Sequence, residues 1–252
     1  MTDRALVGYD QLLETLEVEG DRLASATRGT DPELYVQASP GMRLGEVVRH
    51  VGSVYRMVVS WLRAGDRPVR WQRAPVDGQT LEDYLRVGLR EIVGELAAHD
   101  PEEGCPTWWP QHQRYGFWYR RLAHETTIHR FDVQYTATGG VTVGGIAPEI
   151  ALDGIDELLS LWFTHRLGVL GVVNARPGVV AVEAGGWRWL AKVTATGTGA
   201  WRVGNTEPAD VTVRSDPVGT YLWLWGRHPW TFMNVEEPAV RQLYHLLRVA
   251  TT

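Results

Sequence analysis

Residues 116–132 read Gly-Phe-Trp-Tyr-Arg-Arg-Leu-Ala-His-Glu-Thr-Thr-Ile-His-Arg-Phe-Asp, with no proline and no glycine after the first position. Such a run suits an α-helix, and within it Glu125 and His129 stand four residues apart. On a helix that spacing puts both side chains on one face, about 6 Å apart along the axis. A carboxylate and an imidazole so placed can fill two positions around a divalent metal. A third ligand from elsewhere would complete a site with one position open, the arrangement of catalytic zinc. Taken alone, such a pair on a helix is usually a solvated ion pair or a cap.

Outward from this helix the apolar spacing stays helical. Residues 9–26 place Leu12, Leu13, Leu16, Val18 and Leu23 among acidic residues, and residues 44–62 repeat the pattern with Val47, Val48, Val51, Val54, Met57, Val58 and Trp61. Thr80, with Asp83 three residues on, opens a third helix as its N-cap. The fourth runs over about 116–138 and carries the Glu/His pair. A fifth, over about 148–167, has Pro148 at a favoured first-turn position. From about Val169 the pattern changes. Residues 179–184, 187–194, 200–203 and 211–213 read as short strands bounded by glycine turns. A helix over 216–225, begun by Ser215 with Pro217 just inside it, and a closing amphipathic helix over 237–249 follow. The expected fold is mainly α with a small α+β part: a helical bundle over residues 1–168 and a small C-terminal α+β domain over 169–252.

Composition narrows the function classes. The 252 residues are 44% hydrophobic and 22% charged, enough for a sizeable core, and no apolar run is long enough to span a bilayer. The first ten residues lack the apolar centre of a signal peptide, so the cytoplasm is the expected compartment. A formal charge of −5 argues against a nucleic-acid partner. Cys105 is the single cysteine, which excludes an intramolecular disulfide and a cysteine-rich zinc cluster; in its loop it reads as a half-buried bystander thiol. Residues 101–110, rich in proline and aromatics, form a long loop of the kind that often carries function. There Trp108 and Trp109 are candidate pocket walls, whereas Trp118 reads as core.

His50 is the candidate third ligand. It lies beside the stripe of Val47, Val51, Val54 and Val58. A histidine there serves as a hydrogen-bonded core residue or as a ligand; inward-facing residues from two helices are the usual construction for a metal site in a bundle. His124 points about 100° away from Glu125 around the helix and is left to packing. Asp132, three residues beyond His129, can accept a hydrogen bond from its imidazole and fix the tautomer, or can sit exposed and pair with Arg130. Arg121 and Arg130 read as surface ion-pairing residues.

Residues 44–52 (Leu-Gly-Glu-Val-Val-Arg-His-Val-Gly) together with 120–132 resemble the mycothiol-dependent maleylpyruvate isomerase family. The resemblance extends through 105–109 (Cys-Pro-Thr-Trp-Trp), 148–159 and 210–227. It implies a DinB-like four-helix bundle followed by a sterol-carrier-protein-like C-terminal domain. It implies zinc held by His50, Glu125 and His129, with mycothiol as a thiol supplied from solution. It also implies an arginine of the second domain, here Arg227, that binds an anionic substrate or the thiol; a C-terminal helix cation complementing the dipole is the other reading of Arg227. Two positions depart from the family pattern, Met42 in place of tryptophan and Tyr55 in place of histidine, and both are expected to alter the substrate pocket.

Three donors and an open position allow a bound thiol to become a nucleophile or a bound water to become one. The resemblance favours the first. The expected activity is therefore a thiol S-transferase or a maleylpyruvate-type cis–trans isomerase, in which a metal-bound thiolate attacks a small electrophile. A metal-dependent hydrolase and a non-catalytic ligand-binding protein are the alternatives. Nickel suits the same donors as zinc. The partners expected are small molecules, with a monomer or homodimer as the working unit.

Overall fold

Four long helices account for residues 8–145: α1 (Tyr9–Ala26), α2 (Leu44–Ala64), α3 (Leu81–Ala97) and α4 (Tyr115–Ala137). This is a computed structural model, and it describes residues 4–39, 41–140, 145–172, 176–204, 206–227 and 236–251. Local chemistry sets the helix ends. The Glu46 carboxylate accepts from the Arg43 N–H at 2.7 Å where α2 begins, and Gly65, at φ 77°, ends it in the left-handed conformation that glycine adopts without a Cβ penalty. Thr80 caps α3 as its sequence implies, accepting from the Asp83 N–H at 3.0 Å.

The helices close into a ring in which α1 packs on α4 and α3, and α2 on α3 and α4. Leu12, Leu16, Val47, Val51, Val58, Leu85, Ile92, Leu96 and Leu122 fill the middle, all fully buried. His50 meets Glu125 while Trp61 meets Trp118, so α2 and α4 run antiparallel. The helix that decides the fold is α4. It has no polar face turned to water: Arg120, Arg121, His124, Thr126, Thr127, Arg130 and Asp132 are all buried. Charges so placed require partners.

The second unit comprises residues 146–252 with the first seven residues of the chain. It contains α5 (Pro148–Glu157), a π-helical stretch (Leu158–Arg166), the short α6 (Leu167–Val169), strands β1 (Gly178–Ala184), β2 (Trp187–Thr194), β3 (Gly197–Arg202) and β4 (Val211–Arg214), then α7 (Pro217–Leu224) and α8 (Pro238–Thr251). The sheet order is β3-β2-β1-β4, antiparallel except for the parallel β1–β4 pair. Gly185 and Gly186, at φ 52° and 83°, make the tight β1–β2 turn that needs two positive φ values. The composition shift used to divide the sequence lies at residue 169, whereas the packing boundary lies at 145/146. The difference arises because α5 packs on α7, and the π-helix on β3 and α8.

Two local expectations are corrected. The fifth helix does not continue as α to residue 167 but changes to π after Glu157. Strand β3 engages this stretch. Thr164 Oγ1 donates to the Leu159 carbonyl five residues back and accepts from the Ala200 N–H at 2.9 Å, while the Thr198 hydroxyl donates to the Phe163 carbonyl. The cap of α7 is Asp216, not Ser215: its carboxylate accepts from the Gly219 N–H at 2.9 Å, with Pro217 following in the first turn.

Candidate metal centre

Glu125 and His129 lie one turn apart on α4, and α2 brings His50 against them. Glu125 Oε1 is 2.9 Å from His50 Nε2 and 3.4 Å from His129 Nε2. One donor atom from each of the three residues falls within 4.8 Å of the others. The two imidazoles meet edge to face, centroids 5.3 Å apart. Zinc bonds of about 2.0–2.2 Å in a tetrahedral arrangement need donors roughly 3.3–3.5 Å apart. The carboxylate–imidazole pairs already stand near that spacing, so the donor set fits a small divalent cation.

Neighbouring groups fix the two donors on α4. The other carboxylate oxygen, Glu125 Oε2, accepts from Arg121 Nη2 at 3.3 Å, which turns Oε1 toward the histidines. Asp132 Oδ2 lies 3.1 Å from His129 Nδ1, so Nδ1 keeps its proton and Nε2 is the nitrogen that a ligand would bare. The Ser39 hydroxyl donates to the same Asp132 oxygen at 3.5 Å. Of the three candidate ligands only His50 is substantially exposed, its side chain at 44% against 16% for Glu125 and 12% for His129. The open side of the cluster is therefore at His50.

The electrostatics follow from this packing. Burial alone would raise the Glu125 carboxyl, but hydrogen bonds from His129 and His50 outweigh it and hold the group well below the usual carboxylate range. Burial would likewise lower His129. Its bonds to Asp132 and Glu125 win and push it up to about 9.

Residues 13–134 match the family model of the mycothiol maleylpyruvate isomerase N-terminal domain, a span holding His50, Glu125, His129 and Asp132. The helical unit belongs to that family. No curated protein and no solved structure matches the chain.

Within this isomerase-family bundle, several residues stand differently from the sequence reading. Asp132 takes the first of its two readings, buried and hydrogen-bonded to His129, and is not exposed. Arg130 is buried too, with Glu19 of α1 as its ion partner. Arg121 is no surface residue either; its side chain is 5% exposed. Its hold on Glu125 is the main contact the sequence reading missed, although the i, i+4 spacing of the two residues signals it. Tyr55 is an interior residue. It is fully buried, with its hydroxyl 2.6 Å from that of Thr126; burial pushes the phenol well above its ordinary value, so it stays protonated. His124 is fully buried, in keeping with a packing role.

The tryptophans cluster further up the bundle. Trp109 is buried against Phe117 and His112, and half-buried Trp108 packs edge-on to Phe117. Phe117 lies eight residues before Glu125, roughly 12 Å along α4. Trp118 is core, packed on Trp61 and donating to the Pro106 carbonyl. Burial, then the charge of Glu103, push the Cys105 thiol up to about 12, which suits an inert side chain. In the C-terminal unit, Arg227 Nη1 donates to the Trp225 carbonyl at 2.6 Å, a contact of the helix-capping kind.

Proposed function

We propose that the protein is a divalent-cation-dependent enzyme in which His50 Nε2, Glu125 Oε1 and His129 Nε2 hold the metal, with zinc as the leading candidate and nickel as the other. The observation that carries this reading is the convergence of those three atoms in a bundle of the mycothiol maleylpyruvate isomerase family. When bound, the metal supplies Lewis acidity that makes a thiol in the fourth position a nucleophile at neutral pH. The chain's own groups do the rest. Asp132 keeps the His129 proton on Nδ1, Arg121 aims the Glu125 carboxylate, and the exposed edge of His50 leaves an approach from solvent.

The thiol in this reading is mycothiol, and the reaction is an S-transfer or a cis–trans isomerisation of a small electrophile. Thiolate sulfur forms a bond to an electrophilic carbon and pushes an electron pair into the adjoining conjugated carbonyl. Rotation about the resulting single bond and expulsion of the thiolate complete an isomerisation; protonation of the enolate carbon, by the proton the thiol released, retains the adduct and completes a transfer. Within the helical unit, Trp108 and Trp109 wall the thiol site in this reading. The setting is the cytoplasm. Among the described residues no helix is long and apolar enough to cross a membrane.

Elemental analysis of the purified protein beside Glu125→Ala tests the ligand set: about one metal per chain is expected, with most of it lost in the variant. Metal that survives the substitution undiminished overturns the assignment. Calorimetric titration of the metal-loaded protein with mycothiol tests the thiol. Absence of binding at millimolar concentration, with hydrolysis observed in thiol-free solution, would replace the transferase reading by that of a hydrolase.

A further inference from the structure

The three candidate ligands sit across a seam. Helix α2 packs chiefly on α3, and α4 chiefly on α1, so His50 belongs to one helix pair and Glu125 with His129 to the other. Contact between α2 and α4 is the slighter interface, yet the donors must hold their places to within about half an ångström. Valine and leucine packing is non-directional and tolerates small slides of one helix past the next. A buried hydrogen bond does not, because its energy falls steeply with distance and angle.

Such a bond spans the seam beside the ligands. Tyr55 lies five residues beyond His50 on α2, and Thr126 is the immediate neighbour of Glu125 on α4. Their hydroxyls meet at 2.6 Å, and both residues are completely buried. We propose that the Tyr55–Thr126 hydrogen bond is the register lock between α2 and α4, making both residues positioning residues of the cation site. The proposal rests on the metal reading above for its functional meaning, and on the hydroxyl pair alone for the lock. The lock accounts for the tyrosine at a position read from the sequence as part of a substrate pocket.

The test uses the full-length protein and the variants Tyr55→Phe, Thr126→Val, Thr126→Ser and the double variant Tyr55→Phe/Thr126→Val. Either single deletion orphans a buried hydroxyl and lowers thermal stability for that reason alone. The double variant removes both hydroxyls, so its stability should recover toward the parent. Cobalt(II) titration, followed by its visible absorption, should nonetheless show affinity roughly 10–100-fold weaker in the double variant, the range of outer-shell losses at metal sites. Thr126→Ser keeps a hydroxyl and should bind within about threefold of the parent by the same scale. The cation-free protein gives a separate readout: the nuclear Overhauser contact between the His50 and His129 rings should weaken in the double variant. Parental cobalt affinity together with an intact ring contact in the double variant would overturn the lock. A parent that binds no cobalt, with the ring contact still lost in the double variant, would remove the metal reading and leave the lock in place. Should Tyr55→Phe fail to fold, the double variant carries the test.

Discussion

Loading a divalent cation into the bundle at neutral pH should displace one proton, and that proton should come from His129. The ring is pushed up to about 9 in the cation-free protein, chiefly by its bonds to Asp132 and Glu125 acting against burial. A metal requires the bare Nε2. At pH 7, about two units lower, roughly one ring in a hundred is bare, and reaching that state costs about 3 kcal/mol. The apparent association constant should then rise about tenfold per pH unit between 7 and 9 and level off above. Glu125, held well below the usual range, is already ionised and contributes no proton. Calorimetric titration with zinc in two buffers of unlike ionisation enthalpy counts the protons: about one per cation at pH 7 is expected. Asp132→Asn keeps an oxygen to accept from Nδ1 but removes a charge that raises His129, so the count should fall. Stoichiometric binding with no proton released at pH 7, or a count unmoved by Asp132→Asn, would refute this account. The sign carries over to stability. A raised histidine stabilises the fold fully below its ordinary value of 6.5, and that contribution is lost as pH climbs through about 9. The melting temperature of the cation-free protein should therefore fall across that interval.

Arg130→Met should cost roughly 3 kcal/mol in urea unfolding by stranding Glu19 in the interior, with Arg22, 2.7 Å from Glu19 Oε1, limiting the loss. Adding Glu19→Leu should recover most of it, and a single variant as stable as the parent would contradict the pairing. A Cβ on Gly52 would lie 2.5 Å from Tyr84 Cε1, so Gly52→Ala should lower stability by about 1–3 kcal/mol, read as a drop in melting temperature. Cys105, with its thiol pushed up to about 12, should react with a disulfide reagent at pH 8 at least tenfold more slowly in the folded than in the urea-unfolded protein. Equal rates would show the thiol to be accessible and ionisable.

Most of the architecture was legible because each helix announces itself locally. The apolar spacing of residues 9–26, the Thr80 cap and the proline at 148 all fall where the helices begin or run. The Glu125/His129 pair was legible from spacing, and the histidine at 50 from its place beside the α2 stripe. What escaped were features decided by distant parts of the chain. Nothing in residues 158–166 marks a π-helix; the groups it bonds to, Thr198 and Ala200, lie more than thirty residues later. Arg121 and Arg130 carry charges that ordinarily belong on a surface. Their burial follows from α4 being enclosed on all sides, which no pattern within the helix reveals. Tyr55 stood out only as a departure from the family pattern, and nothing near it in the sequence names the α4 hydroxyl that it meets.

The contact between the π-helix and β3 has a consequence for solubility. An outer strand presents backbone N–H and C=O groups that can recruit a strand from another molecule and seed aggregation. Strand β3 is one border of the sheet, and its Ala200 N–H is already taken by Thr164 while Thr198 is tethered to Phe163. The other border, β4, is only four residues long. The widened helix thus acts as a guard rail on the longer border, and Thr164→Val should show its worth as faster turbidity on warming, well before any change in the helical bundle.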